Sequence, residues 1–237
     1  MPTPALIVHG GAGPVPESEL ADRQAAVERA LEVGWERIGG GALEAAVAAV
    51  RHMEDEPLLN AGIGACLNAD GVVELDAGVM DGRDRSAGGV ACLRDVRHPI
   101  DLALAVMRDG RHVLLAAEGA SRFAREQGVE MADPSIFITD RKRQELSQGA
   151  DTVGAVARDD GGHIAVAVST GGRTGKLAGR IGDGRRALHG RDFALTGAGG
   201  RAAGETHPAL FTEHPIVPRA LSQQDGREQE GSQKYSE

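Results

Sequence analysis

Two threonines on neighbouring segments are candidates for nucleophilic chemistry. Thr152 opens a strand-like run after a polar stretch, and Thr170 lies in the Ser169–Gly172 segment that ends the next run. A threonine hydroxyl becomes a usable nucleophile when the free α-amine of the same residue acts as its base, which here requires cleavage of the Asp151–Thr152 bond. The β-propensity of threonine explains the same residues without chemistry. On spacing alone, that simpler explanation is the stronger one.

The segment between these threonines predicts the β-hairpin that would bring them together. Alternating apolar residues at 152–158 and 163–170 flank a glycine-rich turn at 159–162, a pattern typical of hairpins. If Arg158 pairs with His163, then Thr152 lies opposite Ser169 and beside Thr170. We therefore expect two threonine hydroxyls to meet at the open end of the hairpin.

Other motifs with catalytic potential are weak or missing. Residues 170–176 resemble a phosphate-binding loop, but Thr170 and Leu177 break two of the four fixed positions, so nucleotide binding ranks last. The His9–Gly11 loop could supply oxyanion-hole amides, although such a loop is more often a tight turn. The sequence has no H-E-x-x-H pair, zinc-spaced His/Cys cluster or G-x-S-x-G elbow. This argues against a transition-metal site and a common serine hydrolase.

Length and composition predict one unit built from small residues. With 237 residues and 41% hydrophobic content the chain can bury a sizeable core. A net charge of -9 argues against nucleic acid or anionic membranes as partners. Cys66 and Cys92 lack CxxC spacing, no signal peptide is recognisable, and no run approaches the roughly 20 apolar residues of a membrane span. We expect a soluble, cytoplasmic protein.

Periodicity predicts the elements that must position the threonines. The connector at 130–151 has little apolar periodicity after Ile138 and is predicted to be mobile, and residues 184–237 are predicted to be a divergent, disordered tail. Predicted helices cover 17–36, 42–53, 100–108 with Pro99 at the first turn, and 114–127, and predicted strands cover 5–8, 72–75, 89–93, 152–158 and 163–170.

Ordered motifs across residues 5–183 resemble those of the plant-type L-asparaginase/isoaspartyl peptidase family of N-terminal nucleophile hydrolases. Each motif alone is a weak signal, but their shared order makes chance similarity very unlikely. The motifs are His9–Gly13, Leu59–Gly64, Glu74–Ala77, Met80–Gly82, Asp151–Val156, Ser169–Gly172 and Gly179–Asp183.

The resemblance implies a fold and an activity. The fold would be α+β, a four-layer αββα sandwich of the N-terminal nucleophile hydrolase type, made as a precursor that cuts itself before Thr152. Residues 1–151 would form the α-subunit region, and 152–183 would begin the β-subunit with its nucleophile hairpin. The activity would be that of a threonine amidohydrolase releasing L-aspartate from L-asparagine and β-aspartyl (isoaspartyl) dipeptides. The protein would be a dimer of αβ units.

The resemblance also assigns roles to individual residues. Thr152 would be the nucleophile, with Thr170 beside it, while Arg180 and Asp183 would hold the α-carboxylate and α-ammonium of the substrate. Asn60, Gly10 and Gly11 would support the site. Catalysis would need no cofactor, but a loop of backbone carbonyls would bind a structural sodium ion. Those carbonyls belong to Met53, Glu54, Glu56, Leu59, Ala61 and Ile63.

The sequence departs from the family pattern after Asp183. Family members continue with a Ser-Pro turn and a third threonine in a Thr-Gly-x-Gly-Glu-like strand that supplies oxyanion-hole donors, and Thr196–Gly199 is only a superficial echo. The sandwich is therefore expected to be incomplete at the C-terminus. The alternative function is a catalytically inactive, truncated or frameshifted homologue that does not mature. A further alternative is the related branch that acts on glycosylated asparagine.

Overall fold

Helices and strands alternate along the chain, as a computed structural model describes it for residues 2–13, 15–144 and 152–182. The strands are β1 (Ala5–His9), β2 (Leu75–Asp81), β3 (Ala87–Leu93), β4 (Leu114–Ala116), β5 (Val153–Arg158) and β6 (Ile164–Thr170). The helices are α1 (Glu17–Glu36), α2 (Ala42–Glu54), α3 (Pro99–Asp109), α4 (Ala117–Gln127) and α5 (Asp140–Gln144), with 3₁₀ turns at Ile38–Gly40, Gly62–Gly64 and Pro134–Phe137.

These strands form one six-stranded sheet within the described residues. Its order is β1-β5-β6-β2-β3-β4, and neighbouring strands are antiparallel except for the parallel pair β3 and β4. Strand β5 therefore lies between β1 and β6, far from β1 along the chain. The α+β class is confirmed, while the four-layer arrangement and the N-terminal nucleophile type stay predictions.

Small side chains let the helices approach the sheet closely. Helix α2 packs on β5 and β6, and α3 packs on β2 and β3. Ala45, Ala46 and Ala49 of α2 are fully buried, and their short side chains bring the helix axis near the strands. Helix α3 begins at Pro99, as predicted, because proline is tolerated in the first turn. The core thus lies between these helices and one face of the sheet.

The hairpin has a different register from the predicted one. Arg158 pairs with Ile164, and Val153 pairs with Ser169. Asp159 still belongs to the ladder, because its amide donates to the His163 carbonyl at 3.0 Å. The loop therefore contains only residues 160–162, with Gly162 at φ 83°, as in three-residue hairpin loops. The shift of one residue brings Thr152 into line with Thr170 rather than Ser169.

Two predicted segments were wrong. Residues 114–127 are not one helix, because 114–116 pair with β3 as a short parallel strand before α4 begins. Residues 130–144 of the connector predicted at 130–151 are ordered, and the rest of it lies outside the described residues. Met131 bridges to Val96, and the fully buried Phe137 fixes the next turn in the core. One buried aromatic residue thus anchors a stretch that was predicted to be mobile.

Other predicted bounds agree or differ slightly. Helix α1 covers the predicted 17–36, and α2 runs one residue past its predicted end. The strand predicted at 72–75 instead begins at Leu75 and continues to Asp81. The predicted tail at 184–237 lies outside the described residues. In the described parts of the chain, every helix is too short or too polar to cross a membrane.

Candidate active site

The two candidate hydroxyls meet at one end of the β5–β6 ladder. Thr152 Oγ1 lies 3.1 Å from Thr170 Oγ1, within hydrogen-bond distance. The amide of Gly172 donates to Thr170 Oγ1 at 2.9 Å, and this hydrogen bond fixes the position of the Thr170 hydroxyl oxygen. Thr170 is buried and Thr152 is half-buried. The structure therefore brings together a reachable hydroxyl and a fixed partner that can orient it.

The glycine loop after β1 lies at the same end of the sheet. His9 pairs with Gly154, two residues from Thr152. A Cβ added to Gly154 would lie only 2.5 Å from His9 Nε2, so this strand position must be glycine for the imidazole to lie across it. Gly10 and Gly11 follow immediately, and Gly11 has a φ of 136°. Both predicted support residues are thus near the threonine pair.

Asn60 joins its loop to the segment after Thr170. Its Nδ2 donates to the carbonyl of Gly172 at 2.7 Å, and its Oδ1 accepts from the amide of Cys66 at 2.8 Å. Its own carbonyl accepts from the amide of Gly171 at 3.0 Å. The residue is buried. Asn60 therefore holds the backbone that in turn donates to Thr170.

A buried carboxyl group lies behind the threonines. Glu54 Oε1 is 2.6 Å from Ser169 Oγ, and the amide of Ile100 donates to the same oxygen at 3.1 Å. Glu54 is fully buried, and this burial raises the pKa of its carboxyl well above the ordinary value. Sequence reasoning used only the carbonyl of Glu54. The side chain was missed because its partner is 115 residues away.

Arg180 lies beside the threonine pair at the surface. A Cβ added to Gly172 would lie 3.4 Å from Arg180 Nη1, and one added to Gly182 would lie 3.6 Å from it and 3.1 Å from Thr170 Cγ2. Arg180 is exposed, and its guanidinium therefore lies at the surface near Gly172 and Gly182, on the Thr170 side of the hydroxyl pair. Asp183 and Asp151, the two other predicted site residues of this region, lie outside the described residues.

Two acidic residues that the sequence assigned no role hold the segment carrying Arg180. Glu74 Oε2 accepts from the amide of Gly179 at 2.9 Å, and Asp76 Oδ2 accepts from the amide of Gly182 at 2.5 Å. Both acids are buried. Asp76 also pairs directly with Thr170 across the sheet. The Glu74–Ala77 motif was recognisable in the sequence, but its contacts depend on this pairing.

Lys176 adds a buried cation to the same region. Its Nζ donates to the carbonyl of Glu74 at 2.7 Å, and only 5% of the residue is exposed. Burial lowers the pKa of its ammonium, while the nearby charges of Asp76 and Glu74 raise it in part. This lysine belongs to the failed phosphate-loop match. Here it binds the protein's own backbone.

The loop predicted to bind sodium packs backbone carbonyls closely against Gly62 and Gly64. A Cβ added to Gly62 would lie 2.0 Å from the carbonyl oxygen of Glu54, and one added to Gly64 would lie 1.9 Å from that of Leu59 and 3.0 Å from that of Glu56. Such a cradle of oxygens suits a hard cation. The ligands present in this loop are therefore of the chemical type that the implied ion would take, and the sodium site stays a prediction. Among described residues, no group of three or more His, Cys, Asp or Glu could hold another metal.

Comparison with known proteins identifies the family of this chain. A family model described as Asparaginase matches residues 2–151 and 145–202. The chain therefore belongs to this asparaginase family. The second match continues past Asp183 into the segment that the sequence predicted to be divergent.

Curated relatives carry names of the same kind. The chain is 42% identical over 196 residues to an isoaspartyl peptidase/L-asparaginase of Danio rerio, covering 76% of this chain and 63% of the relative. It is 38% identical over 226 residues to an isoaspartyl peptidase/L-asparaginase of Xenopus laevis, covering 89% of this chain and 70% of the relative. It is 40% identical over 205 residues to an isoaspartyl peptidase of Salmonella typhimurium, covering 75% of this chain and 66% of the relative. The chain spans about two thirds of the length of these relatives, whose names support a hydrolase role.

Proposed function

We propose that this protein is a self-cleaving threonine amidohydrolase that releases L-aspartate from L-asparagine and β-aspartyl dipeptides. The observation that carries the proposal is the 3.1 Å distance between the hydroxyl oxygens of Thr152 and Thr170 at the predicted cleavage point. The names of the relatives support the substrate class. The family match supports the reaction type.

The first step of the proposed mechanism is self-cleavage. Thr152 Oγ1 attacks the carbonyl carbon of Asp151, the peptide C–N bond breaks, and the former amide nitrogen becomes the α-amine of Thr152. Water then hydrolyses the ester, giving the Asp151 carboxylate and restoring the Thr152 hydroxyl. The Thr170 hydroxyl, held by the Gly172 amide, orients the nucleophile. Residues 1–151 and 152–237 become two polypeptides.

The second stage uses the freed amine as a general base. It takes the proton from Thr152 Oγ1 as the oxygen attacks the side-chain carbonyl of the substrate, and ammonia or an amino-acid amine leaves with a proton. Water hydrolyses the resulting aspartyl ester and releases L-aspartate. Arg180 binds the substrate α-carboxylate and Asp183 its α-ammonium, which directs the side-chain carbonyl toward Thr152.

Further parts of the proposal concern the ion and the assembly. Sodium bound by the carbonyls around Gly62 and Gly64 would stiffen the loop that carries Asn60, without taking part in the reaction. We propose a dimer of αβ units.

A reducing, cytoplasmic compartment is supported by Cys66 and Cys92, both of which are free thiols. The acidic net charge of -9 supports a small-molecule substrate over nucleic acid.

Intact-mass spectrometry under denaturing conditions tests the proposal first. The wild type is expected to give two fragments that meet between Asp151 and Thr152, whereas Thr152→Ala is expected to give one full-length mass. Thr3→Ala is the matched control, because this exposed threonine is far from the site and should leave cleavage intact. A single full-length mass for the wild type would contradict the proposal and favour the inactive, non-maturing homologue.

Substrate preference is tested on the cleaved protein. L-aspartate release is measured with L-asparagine, β-aspartyl-leucine and a glycosylasparagine at equal concentrations. The proposal expects the first two to be hydrolysed and the third to be poor. Preference for the glycosylasparagine would assign the chain to the other branch of the fold. No release from any of the three would overturn the proposed activity.

A further inference from the structure

Glu74 directly precedes strand β2 and Asp76 is its second residue, and the carboxylates of both reach the backbone between Gly179 and Gly182. Asp76 pairs directly with Thr170, so the start of β2 borders the hydroxyl pair. Only 2% of Glu74 and none of Asp76 is exposed. Two carboxyl groups buried this deeply need specific partners, because an unpaired buried charge is costly.

Their partners are backbone amides on both sides of Arg180. Glu74 Oε2 accepts a hydrogen bond from the amide of Gly179, and Asp76 Oδ2 accepts one from the amide of Gly182. The second oxygen of each carboxylate is bound to the sheet region, to Arg94 Nη2 at 2.7 Å and to the Cys92 amide at 2.9 Å. Each carboxylate therefore connects the rigid sheet to one flank of Arg180.

Lys176 completes the attachment of this segment. Its Nζ bonds the Glu74 carbonyl, and its own carbonyl accepts from the amide of Ala69 at 2.8 Å. A Cβ added to Gly172 would lie 3.0 Å from Lys176 Nζ and 3.4 Å from Arg180 Nη1, so both cations lie beside the same glycine. The segment from Gly172 to Gly182 is thus fixed at several points, while the Arg180 side chain projects to the surface.

We propose that Glu74 and Asp76 are positioning residues that set the selectivity of the site for ligands with an α-carboxylate. They do so by fixing the backbone before and after Arg180, so that its guanidinium is already oriented when the ligand arrives. The inference rests on the proposed function, in which Arg180 binds that carboxylate. A bidentate guanidinium–carboxylate contact requires a defined geometry, which a loose loop would not hold.

Amide substitutions test this with minimal change of shape. In Glu74→Gln and Asp76→Asn, one carboxylate oxygen becomes an NH₂ group that faces a donor. Whichever way the amide is turned, the connection between the sheet and the segment carrying Arg180 is broken at one of its two ends, so the segment is no longer fixed. Asp81→Asn is the matched control. Asp81 is also buried on β2, but at its far end, where it binds Arg83 at 2.6 Å.

Two measurements on the self-cleaved protein, with both fragments present, separate positioning from simple stability. Hydrogen exchange reports the protection of the amides of Gly179 and Gly182. Calorimetry compares the affinity for L-aspartate with that for β-alanine, which has the same ammonium and side-chain carboxylate but lacks the α-carboxylate. We expect both test variants to lose protection at these amides and to bind L-aspartate about tenfold more weakly, with β-alanine affinity unchanged. Asp81→Asn should match the wild type in both.

The other outcomes decide against the inference in distinguishable ways. Unchanged protection in both test variants would show that the carboxylates do not hold the segment. If protection is lost but the affinities for L-aspartate and β-alanine fall equally, or neither falls, Glu74 and Asp76 do not set α-carboxylate selectivity. A wild type that neither binds L-aspartate nor hydrolyses the substrates would overturn the proposed function itself, and this inference with it.

Discussion

Glu54 and Ser169 share a short hydrogen bond, 2.6 Å from Oε1 to Oγ, that joins the end of helix α2 to strand β6. Both residues are fully buried, and Ser169 directly precedes Thr170. The bond therefore fixes the strand that carries the second hydroxyl from the side opposite to the site. A polar contact of this kind is costly to break because one partner stays buried.

Ser169→Ala is expected to lower the free energy of unfolding by about 1–3 kcal/mol, because Glu54 loses a partner within the core. Urea denaturation of the variant and the wild type measures the loss. Ser121→Ala is a control that removes a bond of 2.5 Å to Asp95, a residue that is not buried, and should cost less because water can replace the hydroxyl. Equal losses for the two variants would contradict the importance of burial.

Thr170→Val is expected to slow both self-cleavage and hydrolysis about 100-fold, since it removes the hydroxyl that orients Thr152 and keeps a similar volume. The rates are followed by denaturing gel and by L-aspartate release. Thr170→Ser retains the hydroxyl and should keep most of the activity. If valine and serine gave the same rates, the hydroxyl would have no role.

Asn60→Asp is expected to reduce activity more than it reduces stability. The change replaces the Nδ2 donor with an oxygen that repels the Gly172 carbonyl, but it preserves an acceptor for the Cys66 amide. The segment that donates to Thr170 would then move. Comparing kcat with the thermal midpoint separates the two effects, and parallel loss of both would indicate a purely structural residue.

Asp76 is expected to make stability depend on pH in the acidic range. Burial raises the pKa of its carboxyl, although the Cys92 and Gly182 amides and the charges of Lys176 and Arg180 lower it in part. The folded state therefore holds this proton to higher pH than the unfolded state. The stabilisation is full below the unfolded pKa and is lost as pH rises through the folded pKa.

Asp76→Asn should remove this decline. Urea denaturation at several values between about pH 3.5 and 6 would then show a flatter dependence of unfolding free energy on pH than for the wild type. Identical pH dependences for the two proteins would show that Asp76 does not titrate differently in the fold.

Sodium is expected to stabilise the protein through the loop around Gly62 and Gly64. Ligand at about 100 times its dissociation constant contributes about 2.7 kcal/mol to a fold that binds it. Exchange of sodium chloride for choline chloride at equal ionic strength should therefore lower the thermal midpoint. A midpoint that does not respond to the exchange would argue against an ion in this loop.

Sequence reasoning predicted the local features of this protein well. The bounds of α1 followed from apolar spacing and those of α2 from its alanine content before Pro57, while the hairpin followed from its alternation around a glycine turn. Its register was wrong by one residue because Asp159 could belong to the turn or to the ladder. The hydrogen bond from its amide to the His163 carbonyl decides between them, and composition does not contain that information.

Contacts between distant segments could not be predicted from local pattern. The partners of Asp76 lie at Thr170 and Gly182, and those of Glu54 at Ile100 and Ser169. Each contact depends on the strand order of the sheet, which puts β2 beside β6. Without that order, an acidic residue at the start of a strand looks the same as one on the surface.

The position of β5 between β1 and β6 has a consequence for the proposed mature protein. β1 comes from the polypeptide before residue 151, while β5 and β6 come from the one after it, and β6 is bordered in turn by β2 of the first polypeptide. The two products would therefore be interleaved within one sheet. Cutting the chain would remove a covalent link without breaking the hydrogen bonds between any two strands. The fragments would therefore elute together in size-exclusion chromatography and separate only when the whole sheet unfolds.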